Sequence, residues 1–375
     1  MIIAGEASGD HHASRLASSI LATAPFPVDI YGFGGPAMER AGVKLLLPYS
    51  RLSVVGFTEV AEKVPDLFEG YLLAAEVLRT HPPDLLICVD FPDFNFLAAA
   101  EAKRRGVKVM YYISPQVWAW RTYRVKKIRR LVDHMAVILP FEREFYDRHG
   151  VNVTYVGHPL LDGLDLPDPQ PEPAADDRGT LIGLLPGSRE REVRAHLPAM
   201  LDACRIIAKS LPGARFALAA APNLGPDIIA EIMEQSADAA PLPPVEVWVG
   251  GLSRLLSRAK ATISVSGTVT LECALAGIYT VIIYKVSALS YLVGRMLIRV
   301  PAIGLCNLIA GKKVFPELIQ SQATPRAIAE HTLGYLSDPE KQEAVAEELA
   351  RVRCILGGPG ASDRAARIAL DLLTP

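Results

Sequence analysis

The chain has no C-x-x-C pair, no G-x-G-x-x-G, no long apolar run and no surplus of either charge. Each absence excludes a class of protein. The five cysteines (Cys88, Cys204, Cys273, Cys306, Cys354) are odd in number and scattered, so they read as reduced thiols of a cytosolic protein, not as a disulfide framework. No stretch reaches the roughly eighteen uninterrupted apolar residues of a spanning helix, and Lys285 interrupts the most hydrophobic region. The first residues, MIIAGE, lack a basic region and a long apolar run, so no signal peptide is expected. Lys and Arg number 39 against 41 Asp and Glu, a net charge of −2, which argues against a nucleic-acid binder. The local exception is the basic run Arg121, Arg124, Lys126, Lys127, Arg129 and Arg130, either a solvated helix face or a face for phosphate or lipid.

What is present is core. With 375 residues and 50% hydrophobic composition, the chain fits two domains better than one. Short apolar strands alternate with helix-like stretches, beginning at Met1–Ala4 and including Leu85–Val89, Val107–Ile113 and His134–Leu139. That pattern predicts a parallel sheet covered on both faces. Met1–Ala4 is a minimal strand, expected to fray as a sheet edge. The run DLPDPQPEPAADDRG (Asp165 to Gly179) is too rich in proline for helix and too polar for core. The expected division is a first Rossmann-like domain (1–160), a linker (161–179), a second Rossmann-like domain (180–357) and a terminal helix (358–375) that packs on the first domain or on a partner. The tail from Pro325 is expected to form two helices split by Gly357-Gly358-Pro359-Gly360. The fold class predicted is α/β, two doubly wound parallel sheets facing a cleft.

Two loops point to a nucleotide diphosphate. Strand Thr180–Leu185 runs into Gly187-Ser188-Arg189 and a helix, and strand Ala261–Val265 runs into Ser266-Gly267-Thr268 and a helix bearing Glu272. Helix starts present unpaired N–H groups, Arg189 adds a cation, and a nearby carboxylate suits ribose hydroxyls. Asp90 follows a strongly apolar strand, where parallel sheets place ligands, and is the expected proton acceptor. Asp93 is expected to be structural, and Asp93 or Asn95 to serve only as a helix cap. Gly5-Glu6-Ala7-Ser8-Gly9-Asp10 also follows a strand, but its spacing is not that of a dinucleotide fingerprint. It is either a tight turn with Asp10 as N-cap or a loop facing the cleft. Trp118 and Trp120 lie in a proline-containing loop after a strand, either as core or lining a sugar or acyl pocket. His11 and His12 point different ways on a helix and have no third ligand nearby, so no metal site is expected. Two apolar stripes read as core or as interfacial helices: Phe57, Val60, Val64, Leu67, Phe68 and Tyr71, and Leu289, Leu292, Val293, Met296 and Val300 with Arg295 and Arg299.

The segments GEASGD, DFPDFN, SPQVWAWR, LPFE, VGHPLLD, LLPGSRE, SGTVTLECALAG and CNLIAG, in this order from the first residue to about Gly311, resemble the motif series of the lipid-A-disaccharide synthase family. The resemblance implies the GT-B glycosyltransferase fold. It also implies a reaction: a diacylated glucosamine passes from UDP to the 6-hydroxyl of diacylated glucosamine 1-phosphate (lipid X), giving a β-1,6 disaccharide phosphate and UDP. It places the enzyme in the cytoplasm, peripherally on the inner membrane, and implies a homodimer that exchanges C-terminal portions. A β product from an α-linked donor needs one in-line displacement with a base, nominated as Asp90, and a stabilised leaving diphosphate. No Asp-x-Asp motif is suitably placed, so Arg189, the Gly187-Ser188 amides and the Gly267-Thr268 helix start are expected to do this without a metal or other cofactor. By the family pattern Glu272 holds the ribose, Asn307 sits at the donor, and Gly5, Ser8, Gly9, Asp10 and Trp118 face the acceptor side. The competing readings are another UDP-sugar enzyme of the same fold (a 2-epimerase or a polyprenyl-linked transferase), a nicotinamide oxidoreductase weakened by the glycine spacing, and a non-catalytic membrane module.

Overall fold

The computed structural model describes residues 1–52, 60–163, 179–222, 224–287, 291 and 300–374. The proline-rich run falls almost wholly outside them. The chain forms two compact units, Met1–Leu164 with Leu356–Pro375, and Asp165–Ile355.

The first unit carries strands β1 (Ile2–Ala4), β2 (Tyr31–Gly34), β3 (Lys44–Pro48), β4 (Leu85–Val89), β5 (Lys108–Tyr112), β6 (His134–Val137) and β7 (Val153–Tyr155). They make one seven-stranded parallel sheet in the order β3-β2-β1-β4-β5-β6-β7. Its helices are α1 (Ala7–Thr23), α2 (Pro36–Arg40), α3 (Val60–Thr80), α4 (Pro92–Arg104), α5 (Val125–Leu131) and α6 (Pro140–Arg148). Successive strand residues point to opposite faces. Ile3, Leu86, Cys88, Val109 and Tyr111 therefore join one core with Phe96, Ala99 and Ile128, whereas Ile2, Leu85, Ile87, Met110 and Tyr112 join another with Leu16 and Ile20. Burial on both faces is why β4 reads as an unbroken apolar run. The expected fraying of Met1–Ala4 is not seen: β1 lies inside the sheet, paired with β2 and β4 and fully buried. The chain reverses direction of travel around its first strand, so a three-residue strand gains neighbours on both sides.

The second unit carries β8 (Thr180–Leu185), β9 (Ala214–Ala220), β10 (Val245–Val249), β11 (Ala261–Val265), β12 (Tyr279–Tyr284) and β13 (Glu317–Ile319), a six-stranded parallel sheet ordered β10-β9-β8-β11-β12-β13. Helices α7 (Glu190–Ser210), α8 (Pro226–Ala239), α9 (Leu252–Leu256), α10 (Val269–Leu275), α11 (Leu305–Ala310), α12 (Pro325–Leu336) and α13 (Pro339–Leu356) connect and cover it. The final helix, α14 (Ala361–Leu373), belongs to the first unit and lies along α1. Its Ala365, Ala366 and Ala369 enter the core, and Asp162 accepts from the Gly360, Ala361 and Ser362 N–H groups at its start. The tail thus holds three helices where two were expected. Pro339 ends the helix before it and opens the next at its first position.

Candidate functional site

In each unit the strand order reverses beside its first strand, and open α/β sheets bind ligands at the carboxyl edge of that switch point. In the first unit the switch lies between β1 and β4, paired Ala4 to Val89. The loops that follow begin with Gly5 and Asp90, so register alone brings GEASGD beside DFPDFN.

This edge is strained. Asp90 and Phe91 have φ of 46° and 47°, and Ile113, at the end of the neighbouring β5, has φ of 63°. Left-handed backbone in non-glycine residues costs about 1–3 kcal/mol each and gathers at functional sites. Gly5 makes it possible, because a Cβ there would stand 2.2 Å from the Phe91 ring. Burial, and then the nearby Glu6 charge, push the Asp90 carboxyl up to about 6, partly offset by the Phe91 N–H. A carboxylate so placed is a stronger base than an ordinary one and is half-titrated near pH 6.

The other residues nominated on this side divide. Ser8 is exposed in the first turn of α1, while Gly9 is buried against Ala4. Asp10 is not the N-cap of α1: that helix begins at Ala7 with Glu6 before it. Asp10 is buried and instead accepts from the Gly35, Ala37 and Met38 N–H groups, capping α2. Asp93 is exposed and pairs with Arg124 at 2.7 Å. Asn95 is no cap either, being wholly buried with its amide on main-chain carbonyls. Trp118 donates from Nε1 to Glu142 at 2.9 Å and meets Phe141 edge-on. Burial raises Glu142 to about 7.

In the second unit the switch lies between β8 and β11, paired Ile182 to Ala261 through Leu185 to Ser264. The Gly187-Ser188-Arg189 and Ser266-Gly267-Thr268 loops therefore leave one edge side by side. Gly187 is left-handed (φ 111°), with the Glu192 side chain against its backbone. Arg189 is exposed at the N-cap of the 21-residue α7, its guanidinium 3.4 Å from Glu192. Gly267 and Thr268 are exposed, and Glu272 is half-buried in the first turn of α10, where burial raises its carboxyl. Asn307 is fully engaged: Nδ2 donates to Phe315 O and Glu317 Oε1, and Oδ1 accepts from Val314 and Phe315 N–H. Its side chain thereby fastens the loop before β13.

Comparisons with known proteins extend over nearly the whole chain. The sequence profile of the lipid-A-disaccharide synthetase family matches residues 1–368. Lipid-A-disaccharide synthase of Geobacter metallireducens is 45% identical over 386 residues, covering 100% of this chain and 97% of that protein. The chain belongs to the lipid-A-disaccharide synthase family. Its members are glycosyltransferases, and that of Coxiella burnetii (strain Dugway 5J108-111) is 37% identical over 377 residues, covering 100% of this chain and 98% of the other. Among solved structures, MurG of Acinetobacter baumannii (TM-score 0.58, 16% identity, 100% and 98% coverage) shares the fold. So does UDP-GlcNAc 2-epimerase of Neisseria meningitidis bound to UDP-GlcNAc (TM-score 0.60, 13% identity, 99% and 98% coverage). The fold is the GT-B type, two Rossmann-like sheets.

Several residues at these edges carry no sequence signal. Glu6 reads only as part of a turn, Tyr111 as one more apolar strand residue, and Glu317 as an ordinary charge, although Glu317 takes the Ile303 and Gly304 N–H groups. The apolar stripe of α3 does not present one face: Leu67 and Tyr71 pack on the core, while Phe68 is exposed. Phe57 and the second stripe apart from Val300 lie outside the described residues, as do the side chains of Val60 and Val64. The basic run surrounds α5, whose Val125, Ile128 and Leu131 are buried while Lys126, Arg129 and Arg130 face solvent beside exposed Trp120 and Tyr123. Among the described residues no helix is long and apolar enough to cross a membrane.

Proposed function

We propose that this glycosyltransferase moves a diacylated glucosamine from UDP to the 6-hydroxyl of diacylated glucosamine 1-phosphate in one inverting displacement. Asp90 takes the hydroxyl proton as the oxygen attacks the anomeric carbon. The bond to the diphosphate breaks, and UDP departs with the electron pair. The Ser188 and Gly267-Thr268 amides and Arg189 stabilise that charge, and Glu272 accepts from the ribose hydroxyls. Asn307 supports the donor side by holding its loop, and Asp10 supports the acceptor side by capping α2. A resident metal has no assigned part in this proposal, since the cation and amides are given the task of stabilising that charge. The observation that carries the reading is the strained Asp90 at the switch point of one unit, matched by the loop pair at the switch point of the other.

Both substrates carry acyl chains, so the enzyme is proposed to work peripherally on the inner membrane from the cytoplasmic side. Exposed Trp120 and Tyr123 beside the basic face of α5 suit that surface. A homodimer with exchanged C-terminal portions completes the proposal, and sedimentation of the purified protein decides it. The central experiment incubates the protein with UDP-diacylglucosamine and lipid X in excess chelator and follows products by mass spectrometry. Disaccharide phosphate and UDP are expected. An absolute need for a divalent ion overturns the metal-free account, and an epimerised UDP-sugar with no disaccharide overturns the transfer.

A further inference from the structure

The strain at Asp90 raises the question of what holds it. An aspartate with φ of 46° carries a Cβ where only glycine is comfortable, and the next residue repeats the conformation. The Asp90 N–H donates to Tyr112 O at 3.2 Å. Its carbonyl accepts from two side chains at once: Tyr111 Oη at 2.6 Å and Asn95 Nδ2 at 2.7 Å. Both donors have no solvent exposure. Asn95 Nδ2 also reaches Val89 O at 3.3 Å and Ile3 O at 3.5 Å, tying the loop to the ends of both switch-point strands.

The arrangement is costly. Asn95 Oδ1 is buried without a partner, and an orphaned acceptor costs about 1–3 kcal/mol. Flipping the amide would set Oδ1 against three carbonyl oxygens, so the orientation is dictated by its neighbours. An apolar residue of similar size would avoid the orphan, which makes the amide a poor choice if packing were its only task. The Tyr111 ring packs against Phe96, and phenylalanine would pack there equally well without the hydroxyl.

We propose that Tyr111 and Asn95 are positioning residues that clamp the Asp90 carbonyl and so aim its carboxylate at the acceptor hydroxyl. This rests on the reading of Asp90 as the base, and neither clamp residue touches substrate. Two buried donors on one carbonyl resist the peptide rotation that would return Asp90 to relaxed backbone. A displacement of about 1 Å at a catalytic group can lower a rate about a hundredfold.

The test is Tyr111→Phe, with Asn95→Ala as a second variant, each confirmed folded by thermal melting. Turnover is expected to fall about ten- to a hundredfold with the KM for the UDP-sugar unchanged. The second readout needs no turnover. In protein labelled with 13C at aspartate carboxyls, the Asp90 signal is assigned by its loss in Asp90→Asn and titrated. Glu6, the Phe91 N–H and Tyr111 face this carboxyl, and only Tyr111 changes. As the loop relaxes toward solvent, the titration should move down toward the ordinary carboxylate range. An unmoved titration in folded Tyr111→Phe overturns the clamp, whatever the turnover. A wild-type protein that makes no disaccharide overturns the transfer reading instead, and the titration still judges the clamp.

Discussion

Transfer is expected to rise through an acid limb centred near pH 6, because the proposed base must be ionised. Burial, and then Glu6, lift the Asp90 carboxyl from 3.8 to about 6. That difference is worth about 3 kcal/mol between the two protonation states. At pH 7 about nine-tenths of Asp90 is ionised, and at pH 5 about one-tenth, so kcat/KM should drop nearly tenfold between them. An aspartate of ordinary acidity would lose almost nothing over that range. The assay is kcat/KM for UDP release from about pH 5 to about pH 8, which reports the free enzyme's carboxyl. The acceptor's phosphate monoester also titrates near pH 6. Glu6→Gln separates the two, because it changes the enzyme and leaves the substrate alone. It should shift the limb to lower pH but not as far as 3.8, since burial is the larger cause. A wild-type rate that stays flat down to pH 5, or a limb that Glu6→Gln does not move, refutes this account of the base.

Other outcomes follow from the same geometry. Asp90→Ala should lower turnover about a hundredfold or more with UDP affinity intact by calorimetry, and lost affinity would put this carboxylate on the donor side. Arg189→Ala should weaken UDP binding about tenfold or more, and unchanged kinetics would remove it from the diphosphate site. Gly5→Ala drives a methyl into the Phe91 ring, so about 1–3 kcal/mol of stability and most of the turnover should be lost; denaturant midpoints and rates at wild-type level would count against the part given to Gly5 in the strained Asp90-Phe91 backbone. Asn307→Ala breaks four hydrogen bonds, two of them buried, and should cost about 2 kcal/mol or more, seen as a lower melting temperature.

The alternation of apolar strands with helices, and the loops that end them, were enough to name the fold class and to put Asp90, Gly187-Ser188-Arg189 and Ser266-Gly267-Thr268 at strand ends. Those features are local: a doubly covered strand must be apolar throughout, and a strand-to-helix loop of small residues writes itself into consecutive positions. Only the tertiary structure decided which loops meet. Ala4 and Val89 are far apart in the chain but paired in the sheet, and that pairing sets Gly5 against Phe91 and Glu6 near Asp90. It also decided partners that no local reading could supply. Asp10 lies within one helix and caps another, Asn307 is consumed by its own loop, and the short first strand sits in the middle of its sheet. Hydrogen-bond partners and burial depend on register and crossover, which arise from residues distant in sequence, so no window along the chain contains them.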